Sequence, residues 1–279
     1  MKKIIAAIDG LKPSDCVQEY AIFLAKQENA HLVGIFLDDI TYLSLAVRDL
    51  VKEGGILDKQ IELLQKKDKK TRDYSVKRFE ESCSRAGLNF SIHHDKNIAI
   101  QDLLHECVYA DLLVLSAHET FSPFTESAPT RFVREILADV QCPVLLVPKI
   151  YWPVEKLALL YDGGTSSVYA IKMFDYVLPT FKEMSVEVIS VKSSDESLHL
   201  PDNKLMKELM KRHYPRAKYT ILKGEAGPEI VRYLRERNEH ALTVLGAYRR
   251  SSVSRWLSTS MADILMKKLK MPLFIAHNK

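Results

Sequence analysis

The second half of the chain restarts the plan of the first, and this internal repeat limits the possible folds more than any other feature. Lys3–Ile8 is a short apolar run that stops at Asp9-Gly10, and Lys156–Tyr161 is another that stops at Asp162-Gly163. A second run follows in each half, His31–Leu37 and Val186–Val191, and then a third, Phe90–His94 and Tyr219–Leu222. Asp111–Ser116 with Ala241–Gly246, and Cys142–Val147 with Met271–Ala276, complete five ordered correspondences. Near-continuous apolar runs bounded by polar turns predict strands buried on both faces, hence a parallel sheet.

Helical patterns lie between the runs. Ser14 or Asp15 can cap a helix whose apolar positions include Val17, Ala21, Leu24 and Ala25. Ile98–Tyr109 and Thr130–Asp139 predict two more, and Pro228–Arg237 is matched to the fourth helix position of its repeat. The order of each half is then β-α-β-α-β-α-β-α-β, with right-handed crossovers. With 279 residues the chain is long enough for two such domains, expected at 1–148 and 154–279, with the proline-flanked segment Lys149–Pro153 as linker. The first half is longer by about twenty residues, carried in the charged, helix-periodic region 41–86, which predicts a helix with a solvated face.

A net charge of +4 is mild, short of a dedicated nucleic-acid binder and compatible with a small anionic ligand. Cys16, Cys83, Cys107 and Cys142 are widely spaced, without a CxxC or a Cys/His cluster, which fits reduced thiols and gives no metal site. The apolar run after Lys2-Lys3 stops at Asp9, short of the ~7–15 residues of a signal-peptide core. No apolar stretch approaches the ~18 residues of a membrane span. The expectation is a cytoplasmic protein with neither membrane nor nucleic acid as partner.

A strand ending in Asp, a later strand ending in Gly and a closing strand of the Cys-Pro-Val kind (Cys142-Pro143-Val144, Met271-Pro272-Leu273) together resemble the universal stress protein family, a resemblance that covers each half once. The resemblance implies two tandem adenine-nucleotide α-hydrolase-like (Rossmann-like) domains, each a five-stranded parallel sheet flanked by helices. Nucleotide-binding members of that family carry G-x2-G-x9-G-[ST] after the fourth strand. Glycines there let backbone N–H groups approach phosphate oxygens beside a helix N-terminus. In the second half Gly246 and Ser260 keep their places, but the second glycine is Arg249 and the third is Thr259. In the first half the window opens Ser116-Ala117-His118-Glu119 and holds no glycine up to Cys142, and Glu119 and Glu126 would repel a triphosphate.

The resemblance therefore implies no nucleotide in the first domain. In the second it places adenine near Asp162 and Val191, and ribose and phosphates near Gly246, Arg249, Thr259 and Ser260, with ATP as the expected cofactor. Arg249, Arg250 and Arg255 can replace lost backbone contacts by charge-assisted hydrogen bonds. A bulky Arg249 and a β-branched Thr259 can equally fill the site. The family habit of dimerising through closing strands implies a pseudo-dimer of the two domains, and allows a homodimer.

Asp9 and Asp162 either edge a ligand crevice at the carboxyl ends of the strands or cap their turns. His93 and His94, adjacent on a strand, point to opposite faces and cannot easily share a metal ion. Ser14, Ser166 and Ser167 are explained by capping, and Tyr151 and Trp152 fall at the junction. No GxSxG, HExxH or P-loop occurs, so no catalytic residue is assigned. The reading is a non-enzymatic stress-response protein that binds ATP or another anionic ligand in its second domain. A ligand-free protein-binding adaptor stays open, and so does an ATP-hydrolysing or adenylyl-transferring enzyme. The latter needs a motif such as H-x-G-H near the first strand, which neither Gly10-Leu11-Lys12-Pro13-Ser14 nor Gly163-Gly164-Thr165-Ser166 provides.

Overall fold

Each apolar run of the sequence is a strand in the computed structural model, which describes residues 1–37, 58–95, 99–122, 124–192, 199–237, 240–246 and 260–277. The chain divides into two compact units, Met1–Cys142 and Pro143–Lys279. In the first, the strands β1 (Lys3–Asp9), β2 (His31–Leu37), β3 (Phe90–Asp95) and β4 (Leu112–Ser116) lie in the order β3-β2-β1-β4, all parallel. The helices are α1 (Asp15–Glu28), α2 (Asp58–Arg85), α3 (Ala99–Cys107) and α4 (Arg131–Asp139). Ser14 does cap α1, its hydroxyl accepting the Val17 N–H at 3.4 Å, and Asn29 closes the helix in the left-handed conformation. Ile4 through Asp9 are all buried, as a strand covered on both faces requires.

The long helix α2, 28 residues against the 11 of a helix between the second and third strands of the other repeat, carries part of the extra length of the first repeat. Its outer face carries spaced ion pairs such as Lys77 with Glu81, which contribute little at such exposure. Ser75, Phe79 and Cys83, four residues apart, form its buried stripe. Ser75 Oγ reaches the Gly10 carbonyl at 2.8 Å. Phe79 stands edge-on to Phe36 and Phe90, with ring centroids 5.9 and 6.4 Å away. A Cβ on Gly34 of β2 would lie 2.6 Å from the Phe79 ring, so this strand must present glycine where the ring is seated.

The second unit begins with β5 (Val144–Val147), the strand that closes the first repeat, and adds β6 (Lys156–Leu160), β7 (Ser185–Lys192), β8 (Lys218–Lys223), β9 (Ala241–Gly246) and β10 (Leu273–Ala276). The order is β5-β10-β9-β6-β7-β8, with β5 antiparallel to β10 and the other five parallel. Its helices are α5 (Thr165–Val177), a 3-10 turn Pro179–Glu183, α6 (Asn203–His213), α7 (Ala226–Arg237) and α8 (Met261–Lys268). The helix matched to the fourth position, α7, is the third of its repeat. It precedes β9, the fourth strand, and corresponds to α3. Phe174 anchors the core, edge-on to Phe181 at 5.7 Å and Phe274 at 5.0 Å. The neighbouring buried Asp175 is held between His213 at 2.5 Å and Lys182 at 3.0 Å, which ties α5 to α6 and to the 3-10 turn. Among the described residues no helix is long and apolar enough to cross a membrane.

Phe79→Ala should destabilise the first unit by about 3–5 kcal/mol, because it removes the fully buried ring that fastens α2 to β2 and β3. Urea unfolding followed by circular dichroism would measure the loss. A change below about 1 kcal/mol would show that α2 does not depend on this ring.

Candidate functional site

In each unit the central strand is flanked by strands reached through crossovers on either side, so a crevice opens beyond its carboxyl end. In the second unit that strand is β6, between β7 and β9. A cavity of ≈ 220 Å³ lies there, lined by Asp162, Ser167, Val191, Ile230, Gly246 and Met261 among others. Three of the residues assigned from sequence, Asp162, Val191 and Gly246, thus meet at one cavity. Ser260 is placed differently. Its hydroxyl accepts the Asp263 N–H at 3.1 Å and caps α8, while the next residue, Met261, faces the cavity. Arg249 and Thr259 lie outside the described residues.

Asp162 proves to be both turn residue and cavity edge. Its Oδ1 accepts the Gly164 N–H at 2.8 Å and the Ser167 hydroxyl, 2.6 Å away, which also lies 2.8 Å from the Gly164 carbonyl. Ser166 and Ser167 do not cap α5. The N-cap is Gly164, which has no side chain to offer. Ser167 instead orients the Asp162 carboxylate, a link invisible in sequence because it depends on the first helical turn bringing residue 167 back over residue 162.

Gly246 has a steric reason to be glycine. A Cβ there would come within 2.4 Å of the Ser166 carbonyl carbon and oxygen and 2.7 Å of the Ser167 nitrogen, all backbone atoms of the first turn of α5. The end of β9 and the start of α5 therefore touch backbone to backbone at the cavity edge.

In the first unit carboxylates hold backbone N–H groups at the corresponding strand ends. Asp9, buried at the end of β1, accepts the N–H groups of Leu11 at 2.8 Å and Lys12 at 3.2 Å. Glu119, buried beyond β4, accepts the N–H groups of Thr120 at 2.9 Å and Phe121 at 3.0 Å. Glu126 takes the Arg131 N–H at 2.8 Å, and the Thr130 hydroxyl takes that of Val133 at 3.2 Å, so the N-terminus of α4 is capped from within. Backbone donors that could face an anion thus already hold carboxylates. Burial pushes the Glu119 carboxyl up to about 7, and the nearby Asp9 charge adds to this against the N–H bonds and Lys12. Burial also raises Asp9, opposed by its two N–H bonds and by the charges of Lys12 and Arg72.

The remaining sequence candidates have structural partners. His93 Nδ1 lies 2.7 Å from Glu106, and His94 stacks on Phe36 with centroids 6.0 Å apart. Among the described residues no group of three or more His, Cys, Asp or Glu side chains is arranged to hold a metal ion. The four cysteines are buried and free, and the thiols of Cys107 and Cys142 hydrogen-bond each other.

No family model matches the sequence, and no curated protein matches it either. Solved structures do. A universal stress protein from Archaeoglobus fulgidus DSM 4304 superposes with a TM-score of 0.75 at 13% identity, covering 99% of this chain and 98% of that one. A protein from Pseudomonas aeruginosa UCBPP-PA14 described as a universal stress protein gives 0.58 at 15% identity, covering 99% and 92%. A functionally unknown protein from Pseudomonas aeruginosa PAO1 gives 0.59 at 13%, with the same coverage. The chain has the fold of these universal stress proteins.

Two outcomes follow from this geometry. Gly246→Ala should destabilise the second unit by about 2 kcal/mol, since backbone rather than a flexible side chain must yield. A neutral result in thermal unfolding would show that α5 is not seated against β9 as described. For Glu119, a folded-state value near 7 above an ordinary 4.5 means that folding favours the protonated carboxyl. Its contribution is full below about 4.5 and is lost as pH rises through about 7, some 3 kcal/mol in all. Urea midpoints at about pH 5 and about pH 8 should therefore differ more in the wild type than in Glu119→Gln, with Asp9 keeping a smaller slope of the same sign. Equal slopes in the two proteins would remove the assignment.

Proposed function

We propose that this chain is a tandem universal stress protein, cytoplasmic and non-enzymatic, whose second unit binds a small anionic ligand of the nucleotide class, with ATP as the leading candidate. The observation that carries this reading is the contrast between the two crevices. In the second unit Asp162, Val191 and Gly246 surround a cavity. In the first, Glu119 accepts the backbone donors beyond β4.

The cavity's size and lining favour a base over an entire nucleotide. At ≈ 220 Å³ it is smaller than the ~300–1,000 Å³ of a site for a drug-sized ligand. Ile230, Leu245 and Met261 offer apolar contact to a flat ring, and Asp162 offers an acceptor to an exocyclic amine. Phosphates would then extend past Gly246 toward the N-terminus of α8, where the helix favours an anion. Arg249, Arg250 and Arg255 in the intervening sequence supply positive charge. The first domain, 1–148, serves as a structural or regulatory partner to the ligand-binding domain, 154–279. The antiparallel pairing of β5 with β10, the closing strands of the two repeats, supports their association as a pseudo-dimer.

Calorimetric titration of nucleotide-stripped protein with ATP tests the reading. Micromolar binding is expected in the wild type, lost in Arg249→Glu and retained in Glu119→Gln. Absence of heat up to about 1 mM ATP would overturn nucleotide binding and leave the adaptor as the working description.

A further inference from the structure

The second unit carries another cavity, at the opposite ends of its strands from the Gly246 crevice. It has a volume of ≈ 520 Å³ and lies where His240 leads into β9 and Met271 approaches β10. Arg235 from the last turn of α7, Lys268 from the end of α8 and Lys270 beyond it line the opening, and among the described residues no carboxylate does. None of these three cations is paired with an acid among the described residues. Arg235 instead donates to the Lys268 carbonyl at 3.2 Å, which fixes the guanidinium between the ends of the two helices. Trp152 forms one wall. It is 44% exposed and sits edge-on to His240, centroids 5.5 Å apart. The Nδ1 of His240 is buried and has no hydrogen-bond partner among the described residues.

The cations at helix C-termini have an ordinary explanation, since the negative end of the helix dipole attracts them. That accounts for Arg235 and Lys268. It does not account for Lys270, which follows the helix, or for an indole kept open to solvent beside three cations that no described acid pairs. Apolar side chains, Leu234, Leu269 and Met271, complete the lining. A flat ring can lie on Trp152 and the apolar wall while an anionic group meets the cations, and the volume falls within the range of small-molecule sites.

We propose that this cavity is a second binding site, for a small planar aromatic anion whose ring rests on Trp152 and whose charged group is held by Arg235, Lys268 and Lys270. The site is independent of the Gly246 crevice, since it shares no lining residue with it. The shared chemistry is a ring and a negative charge. The charge can be a phosphate or a carboxylate.

The test uses the full chain with Trp256→Phe, which leaves Trp152 as the sole tryptophan. Its indole N–H resonance is followed while AMP or benzoate is added, with ribose 5-phosphate as the ringless control and adenosine as the uncharged one. At least one aromatic anion should shift the resonance saturably, at least about tenfold more tightly than either control. The preferred anion then identifies phosphate or carboxylate as the natural group. Lys268→Glu with Lys270→Glu should abolish the shift while any heat from ATP at the other crevice persists. Both lysines are exposed, and if the double variant melts early, Lys270→Gln alone should still weaken binding severalfold. No shift by either aromatic anion up to about 10 mM, a response equalled by the controls, or one unchanged by the lysine substitutions would overturn the site.

Discussion

A parallel strand cannot be joined to its neighbour by a tight turn, so the pairing of β1 with both β2 and β4, and of β6 with both β7 and β9, dictates most of what the two units share. Each connection must cross a face of the sheet as a helix, which buries the central strands on both sides and explains apolar runs such as residues 4–8 and 157–160. The crossovers on the two sides of the central strand leave in opposite directions, and its last residue faces the gap between them. In one unit Asp9 at this end is followed by Gly10 and Leu11, and in the other Asp162, just beyond β6, is followed by Gly163 and Gly164. Asp9 and Asp162 hold these turns through the same bond, to the N–H two residues on, at 2.8 Å in both.

From this common frame the units diverge at the neighbouring strand. β9 ends in Gly246, and the absent side chain lets the first turn of α5 come into backbone contact. β4 ends in Ser116, and the chain beyond it folds back until Glu119 supplies the negative charge from inside. An internal carboxylate satisfies the N–H groups as a phosphate oxygen would, at the cost of confining a second acid near Asp9. The first unit thus places a carboxylate on the backbone donors beyond β4, while the second keeps a space that its own described side chains do not fill.

The strands were legible because burial on both faces writes itself as an apolar run, and the repeat made each run confirm its partner. Asp162, Val191 and Gly246 were legible through the resemblance to the universal stress proteins, which implies a ligand near these strand ends, and they line one cavity. What sequence could not show were contacts made by side chains brought together by helices. Ser167 reads as a helix-start serine until the turn carries it to Asp162. Glu119 reads as a repelling charge, whereas its burial and its two N–H bonds make it an occupant. The stripe Ser75, Phe79, Cys83 is hidden among charges in α2, since one small polar and one thiol residue carry little hydrophobic signal. Trp152, read in sequence only as falling at the junction, also lines a cavity in the second unit.

The seating of α2 has a consequence for how the first unit opens. Its buried contacts, Ser75, Phe79 and Cys83, all lie in the C-terminal half, while residues 62–67 are exposed on every side. A helix turn held by its own backbone bonds alone is marginal in water, whereas one pinned by a fully buried ring opens only with the surrounding core. Amide hydrogens along this single helix therefore exchange on a gradient, fast near Glu62 and slow near Phe79. The first turns can unwind and re-form without disturbing the sheet.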